Sequence, residues 1–279
     1  MSRKYNKSII VAVIDTGIDY MHKDLKDVMW KNIYEIPKDG IDNDNNGYID
    51  DNNGWNFVKD SFEVLEGEEL YENDHGTQCA GIISGMSKRK TPSNDGLQIM
   101  SLKVLGGLEK QGNLQNVIKA VQYAEDNGAK ICNLSIDLSM NLSKVKNYLS
   151  ESDMLFVIAA GNDGIDIDEY GIELCTDNVI IVCNVDEHGN LFRGSNYGKN
   201  TVDIGALGVD INSTVVDGYD TGTGTSMSAA LVSGVCASIM MERNDYSAVD
   251  VKKAILSLCS RTESLKDKVK YGVLCENYN

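Results

Sequence analysis

The chain has 279 residues, only two prolines and a formal net charge of −16. It is long enough to bury a full core, as one large α/β domain or two small ones. The acidity disfavours a nucleic-acid backbone as partner, and no apolar run of about 18 residues suggests a membrane span.

Taken in chain order, MSRKYNKSIIVAVIDTG does not read as a signal peptide, because its short apolar run continues into a strand, SIIVAVID. The acidic stretch DGIDNDNNGYIDD follows, Asp39 to Asp51. Its Asp42, Asp44 and Asn46 stand two apart, Gly47 permits a sharp turn, Tyr48 can offer a carbonyl and Asp50 sits where a water-mediated ligand would. The position where a calcium loop carries a bidentate glutamate is Asn53, and Pro37, Gly40 and Gly54 argue against flanking helices. The residues fit a structural calcium loop outside an EF-hand, or an Asx-rich turn holding no ion.

TQCAGIISGM then reads as a helix start, IMSLKVL as a strand, and LQNVIKAVQYAEDNG as a helix closed by Gly128. KICNLSI is a strand, Leu142–Ser150 a polar helix, and MLFVIAAG and NVIIVCNV are strands. MSAALVSGVCASIMMER and AVDVKKAILSLC are helices. Alternation of helices with continuously apolar strands predicts a mostly parallel sheet covered on both faces. No repeat or linker divides the chain, so one domain over residues 1–279 is expected.

The seven cysteines are odd in number, several lie in apolar runs, and none forms a CxxC pair. Buried thiols in a reducing cytosol account for this better than a disulfide framework.

In such folds chemistry gathers at the carboxyl ends of the strands. Three segments stand out: Asp15 in AVIDTGID, His75 in NDHGTQCAG and Ser226 in TGTGTSMSAALVSG. Each alone is commonly a cap or turn residue. Their order, with KVLG, NLS and AAGN between them, resembles the subtilases, the subtilisin-like serine peptidases, over about Ile9 to Leu274. The resemblance implies a subtilisin-like three-layer α/β fold and hydrolysis of a peptide or protein substrate. Ser226 would be the nucleophile, His75 its base, and Asp15 the group that orients and stabilises the imidazole. Asn162 would supply the second oxyanion donor beside the Ser226 N–H. Substrate would lie extended against Ser135, Ile136 and Asp137 on one side and the stretch ending near Gly112 on the other, with Ala160 and Gly161 behind. The loop at Asp42–Asp50 falls where subtilases often carry calcium insertions.

Several features depart from the general pattern. Asp137 stands where a small residue is usual, and Asp163, Asp166, Asp168 and Glu169 follow Asn162. Acid near the P1 pocket predicts a preference for Arg or Lys at P1. The usual proline and histidine after the serine are Ala230 and Leu231, in the helix body. Cys79 lies one helical turn beyond His75, on the same face. Only eight residues precede the first strand, which is expected of a cytoplasmic chain without signal peptide or propeptide, similar to intracellular bacterial subtilases that include leader peptidases. A secreted protein whose leader has been removed is the alternative. Limited processing of a substrate is favoured over general protein degradation, and a catalytically silent binding module is the third reading. A regulatory partner is open, but no residue identifies one.

Overall fold

The computed structural model describes residues 8–66, 70–90, 96–106, 113–136, 146–171, 174 and 176–274. Its centre is a sheet of nine strands. Seven run parallel in spatial sequence: β11 (Gly272–Leu274), β7 (Ile204–Leu207), β6 (Val179–Val185), β5 (Leu155–Ala159), β4 (Ile131–Leu134), β1 (Ile9–Asp15) and β3 (Leu97–Lys103). The short β2 (Gly54–Asn56) extends the β3 edge in parallel, and β10 (Cys259–Ser260) caps the other edge antiparallel to β11.

The side-chain period of two divides each strand between two apolar layers. Val11 and Val13 of β1, Ile99 of β3 and Val157 of β5 face α1 (Asp74–Lys90), α4 (Thr225–Glu242) and α5 (Ala248–Ser257). Ala12, Ile14, Met100, Leu102, Phe156 and Ile158 face α2 (Leu114–Asp126) and α3 (Lys146–Glu151). The strands are therefore apolar on both faces, which is why they read as unbroken runs in the sequence. Each such side chain fully buried contributes roughly 1.5–3 kcal/mol.

The order β4–β1–β3 places β1 where successive connections diverge to opposite sides. The carboxyl end of a strand at such a switch point is the natural crevice of an open α/β sheet. Asp15 is the last residue of β1.

Most sequence-based elements stand close to their expected bounds. The first helix begins at Asp74, three residues before the expected Thr77, so His75 lies within its first turn. The polar helix expected over 142–150 is described only as Lys146–Glu151. Helix α4 has the length and apolar composition of a membrane span, contrary to the reading that no such stretch exists, but 89% of it is buried inside the protein. It is the central helix of one layer, apolar on all sides because the sheet, α1 and α5 surround it. Close packing with α1 depends on Gly234, where a Cβ would come within 2.7 Å of Met86 Cβ and 2.8 Å of the Ile83 carbonyl oxygen.

Candidate active site

The end of β1 and the start of α1 meet almost without side chains between them. A Cβ at Gly76 would lie 2.2 Å from the Gly17 carbonyl oxygen, so the glycine after His75 is a requirement of this approach. The Gly76 N–H donates to Thr16 Oγ1 at 3.0 Å. Lys103, the last residue of β3, is buried and donates from Nζ to Asn73 Oδ1 at 3.0 Å and to the Thr16 carbonyl. It thus ties β1 to the turn that opens α1.

This contact brings His75 Nδ1 to 2.7 Å from Asp15 Oδ1, which also accepts the Thr16 N–H at 2.7 Å. A carboxylate can only accept here, so Nδ1 carries the ring proton and Nε2 is left with its lone pair free. Burial works against the imidazolium, but the charge and hydrogen bond of Asp15 override it and raise the His75 pKa above its ordinary value.

Ser226 is the second residue of α4, where backbone N–H groups have no partner within the helix. It is 7% exposed, and its hydroxyl makes no hydrogen bond among the described residues. Contacts of this kind commonly tighten only when substrate binds. Asn162 follows the end of β5, and its Oδ1 accepts the Thr225 N–H at 2.9 Å and the Thr225 hydroxyl at 3.2 Å. The Thr225 hydroxyl in turn accepts the Gly161 N–H at 3.1 Å. Because the oxygen is committed to α4, the amide Nδ2–H₂ is left as the donor. Gly224, which precedes α4, offers no side-chain cap, so Asn162 caps the helix from the neighbouring strand end.

Asn196 is the site residue that sequence reasoning missed. Its side chain accepts the N–H groups of Asp163 at 2.9 Å and Ile165 at 3.2 Å, and donates to the Ala160 carbonyl at 3.0 Å. It braces the whole turn that carries Asn162, yet it lies over thirty positions away, and a buried asparagine in SNYG gives no local signal.

Among the expected substrate residues, Ala160 is buried just after β5 and Gly161 joins the Thr225 contact. Ser135 and Ile136 follow β4 with both side chains buried: Ile136 joins the core, and Ser135 hydrogen-bonds to Asn133 and Cys79. Only their backbone is available to a peptide. Asp137 and Gly112 lie outside the described residues. Three of the acids after Asn162 have structural partners. Asp163 Oδ2 accepts from Asn196 at 3.2 Å, Asp166 caps a 3₁₀ turn, and Asp168 Oδ2 accepts the Asn200 N–H at 2.8 Å.

The acidic loop is organised differently from its sequence reading. Glu35, Asp42 and Asp44 each bring a carboxylate oxygen within 4.8 Å of the others. Asp50 is not in this cluster, and its two oxygens accept the N–H groups of Asp39 at 3.0 Å and Gly40 at 3.1 Å; Glu35 and Asp42 likewise accept backbone N–H groups on both oxygens. Asn46 Oδ1 accepts the Tyr48 N–H at 2.8 Å, while its amide donates to Asp44 and Asp51. The Tyr48 ring packs edge-on against Trp55, Phe57 and Tyr123, anchoring the loop to the second core layer. Glu35, upstream of the repeated Asp-x-Asp pattern, was not legible as a member.

The chain belongs to the subtilase family, whose family model matches residues 6–273. It is 30% identical to Subtilisin-like protease 1 of Plasmodium berghei over 290 residues, covering 94% of this chain and 47% of that protein. It is also 30% identical to the Thermophilic serine proteinase of Bacillus sp. strain AK1 over 281 residues, covering 96% of this chain and 60% of that one. The chain therefore spans about half the length of these relatives. A cold-adapted subtilisin-like serine proteinase shares the fold with a TM-score of 0.71 at 21% identity, covering 100% of this chain and 94% of the other. A lanthipeptide protease does so with a TM-score of 0.70 at 23% identity, covering 95% and 84% respectively.

Proposed function

We propose that the chain is a serine endopeptidase in which Asp15, His75 and Ser226 form the catalytic triad. The observation that carries this reading is the 2.7 Å contact of His75 Nδ1 with Asp15 Oδ1 at the sheet's switch point. His75 Nε2 takes the proton of Ser226 Oγ as that oxygen attacks the scissile carbonyl. The negative oxygen of the tetrahedral intermediate is met by the Asn162 amide and the Ser226 N–H. His75 then returns its proton to the leaving amine. The acyl-enzyme is hydrolysed by a water activated at the same nitrogen.

A diverse peptide library tests this. Cleavage by the wild-type chain and none by Ser226→Ala is the expected result, and equal cleavage by both would refute the reading. The narrower reading is limited processing after Arg or Lys at P1, supported by the net charge of −16 and the acids around Asn162. Library cuts clustering after apolar residues would overturn that preference without touching the catalytic assignment. The free state of the five described cysteines supports a reducing, cytoplasmic location, which fractionation of cells tests.

We also infer that the acidic loop holds a structural calcium ion. Hard cations take several oxygen ligands, and Glu35, Asp42 and Asp44 supply three converging carboxylates. Chelation is expected to lower the melting temperature while leaving kcat of the still-folded protein unchanged. Calcium at a hundred times its Kd would add about 2.7 kcal/mol of stability. Glu35→Gln should abolish the calcium-dependent shift in melting temperature. An unchanged melting temperature in chelator, with no calcium bound, would refute the ion.

A further inference from the structure

Behind the proposed triad, the two oxygens of Asp15 are treated unequally. Oδ1 accepts from Thr16 and His75, whereas Oδ2 is fully buried with no hydrogen-bond partner in ordinary geometry. A bare carboxylate oxygen in a dry site is costly, so a donor for it is expected nearby. Cys79 is completely buried one helical turn from His75, with Sγ within 4.8 Å of both an Asp15 carboxylate oxygen and a His75 ring nitrogen.

The rest of the neighbourhood offers a direction for that thiol. Ser233 Oγ on α4 donates to Asn133 Oδ1 on β4 at 2.9 Å. Asn133 Nδ2 donates to Ser135 Oγ, also at 2.9 Å. Ser135 Oγ and Cys79 Sγ lie 3.6 Å apart and either can donate; donation by Ser135 is the direction that leaves the thiol hydrogen for Asp15. In that direction Cys79 has its own S–H left to give, and Asp15 Oδ2 is the carboxylate oxygen of the cluster left without a partner. Every donor in the chain Ser233–Asn133–Ser135–Cys79 then points toward the carboxylate.

We propose that Cys79 is a positioning residue whose S–H donates to Asp15 Oδ2 and locks the carboxylate that orients His75. Burial, reinforced by the Asp15 charge, pushes the thiol well above its ordinary range, so it stays protonated and remains a donor at any working pH. A hydrogen bond to Oδ2 draws charge from the carboxylate and weakens its support of the imidazolium. Losing the bond therefore raises the His75 pKa and frees the carboxylate to turn. The other charged groups near His75 are Lys103 on β3, Glu72 and Asp74 around the start of α1, and Asp19 beside Thr77. Strand β8 (Ile211–Val215) and the first turns of α4 bring no charged side chain.

The inference rests on the peptidase reading for its kinetic test, and has a second test that does not. In pH profiles of kcat/KM, Cys79→Val keeps the volume but not the donor. It should move the acid limb upward by about half a pH unit and lower kcat about threefold to tenfold, the scale of one weak hydrogen bond. Cys79→Ser, which retains a donor, should bring the limb back toward wild type. Superimposable limbs for wild type and Cys79→Val, or equal shifts for Val and Ser, would overturn the proposal. The S–H stretching band offers the independent readout. In infrared difference spectra of wild type against Asp15→Asn, a bonded S–H band at lower frequency should be lost. A spectrum with no change in the S–H region would refute the bond even in a protein without measurable peptidase activity.

Discussion

Replacing Asp15 by alanine is expected to lower kcat by about 10⁴-fold, with KM changed far less. The carboxylate does two jobs that the structure separates. Its Oδ1 holds the His75 Nδ1 proton at 2.7 Å, which keeps Nε2 free as base, and its charge offsets the burial of the imidazolium. Alanine removes both. Asparagine removes only the charge: Oδ1 also accepts from Thr16, so an amide oxygen is held at that position and the tautomer is kept. Asp15→Asn should therefore lie between alanine and wild type in kcat.

The pH profile identifies which job has been lost. The base must be neutral, so activity falls as pH drops through the His75 pKa. Wild type, with that pKa raised by Asp15, should show its acid limb above about 6.5. In Asp15→Asn the burial penalty is no longer opposed by a charge, and the limb should move to lower pH. Rate profiles of the three proteins, with circular dichroism to establish folding, decide the matter. An unchanged limb in Asp15→Asn would mean that Asp15 does not set the ionisation of His75.

Much of this site was legible in the sequence for a physical reason. A parallel sheet buries both faces of its strands, so β1, β3, β5 and β6 announce themselves as apolar runs, and their carboxyl ends locate Asp15 and Asn162. The elements that escaped notice lack that signature. Strand β2 has three residues, and β9 (Gly218–Gly222) is a half-exposed partner of β8 reading GYDTG, polar through most of its length. The turn between β8 and β9 is Val216-Asp217, with Asp217 at φ 58° and Gly218 already paired with Val215. What no local pattern carries is long-range hydrogen bonding. Asn196 bracing the Asn162 turn, Lys103 reaching the Thr16 carbonyl, and Glu35 meeting Asp42 and Asp44 all depend on chain segments brought together only by the fold. The acids expected to select a basic substrate illustrate the same limit. Asp163, Asp166 and Asp168 read only as charge in sequence, and the loop-holding hydrogen bonds that each also accepts depend on the fold.

Asn162 provides the second large effect, because it caps the helix and is the proposed oxyanion donor. Its Oδ1 caps α4 through Thr225, and its Nδ2 is the donor left over. Asn162→Ala loses both roles. It should lower kcat by about 10²- to 10³-fold through the missing oxyanion donor, and lower stability by about 1 kcal/mol through the missing cap. Asn162→Asp separates the two, since a carboxylate still accepts from the Thr225 N–H but cannot donate. It also places negative charge opposite the charge that develops on the substrate oxygen. Its kcat should therefore fall at least as far as that of the alanine variant, while its melting temperature stays near wild type. Steady-state kinetics and thermal melts of the two variants distinguish the roles. An Asn162→Asp protein with wild-type kcat would remove Asn162 from the oxyanion site, and one that melts with the alanine variant would remove the cap.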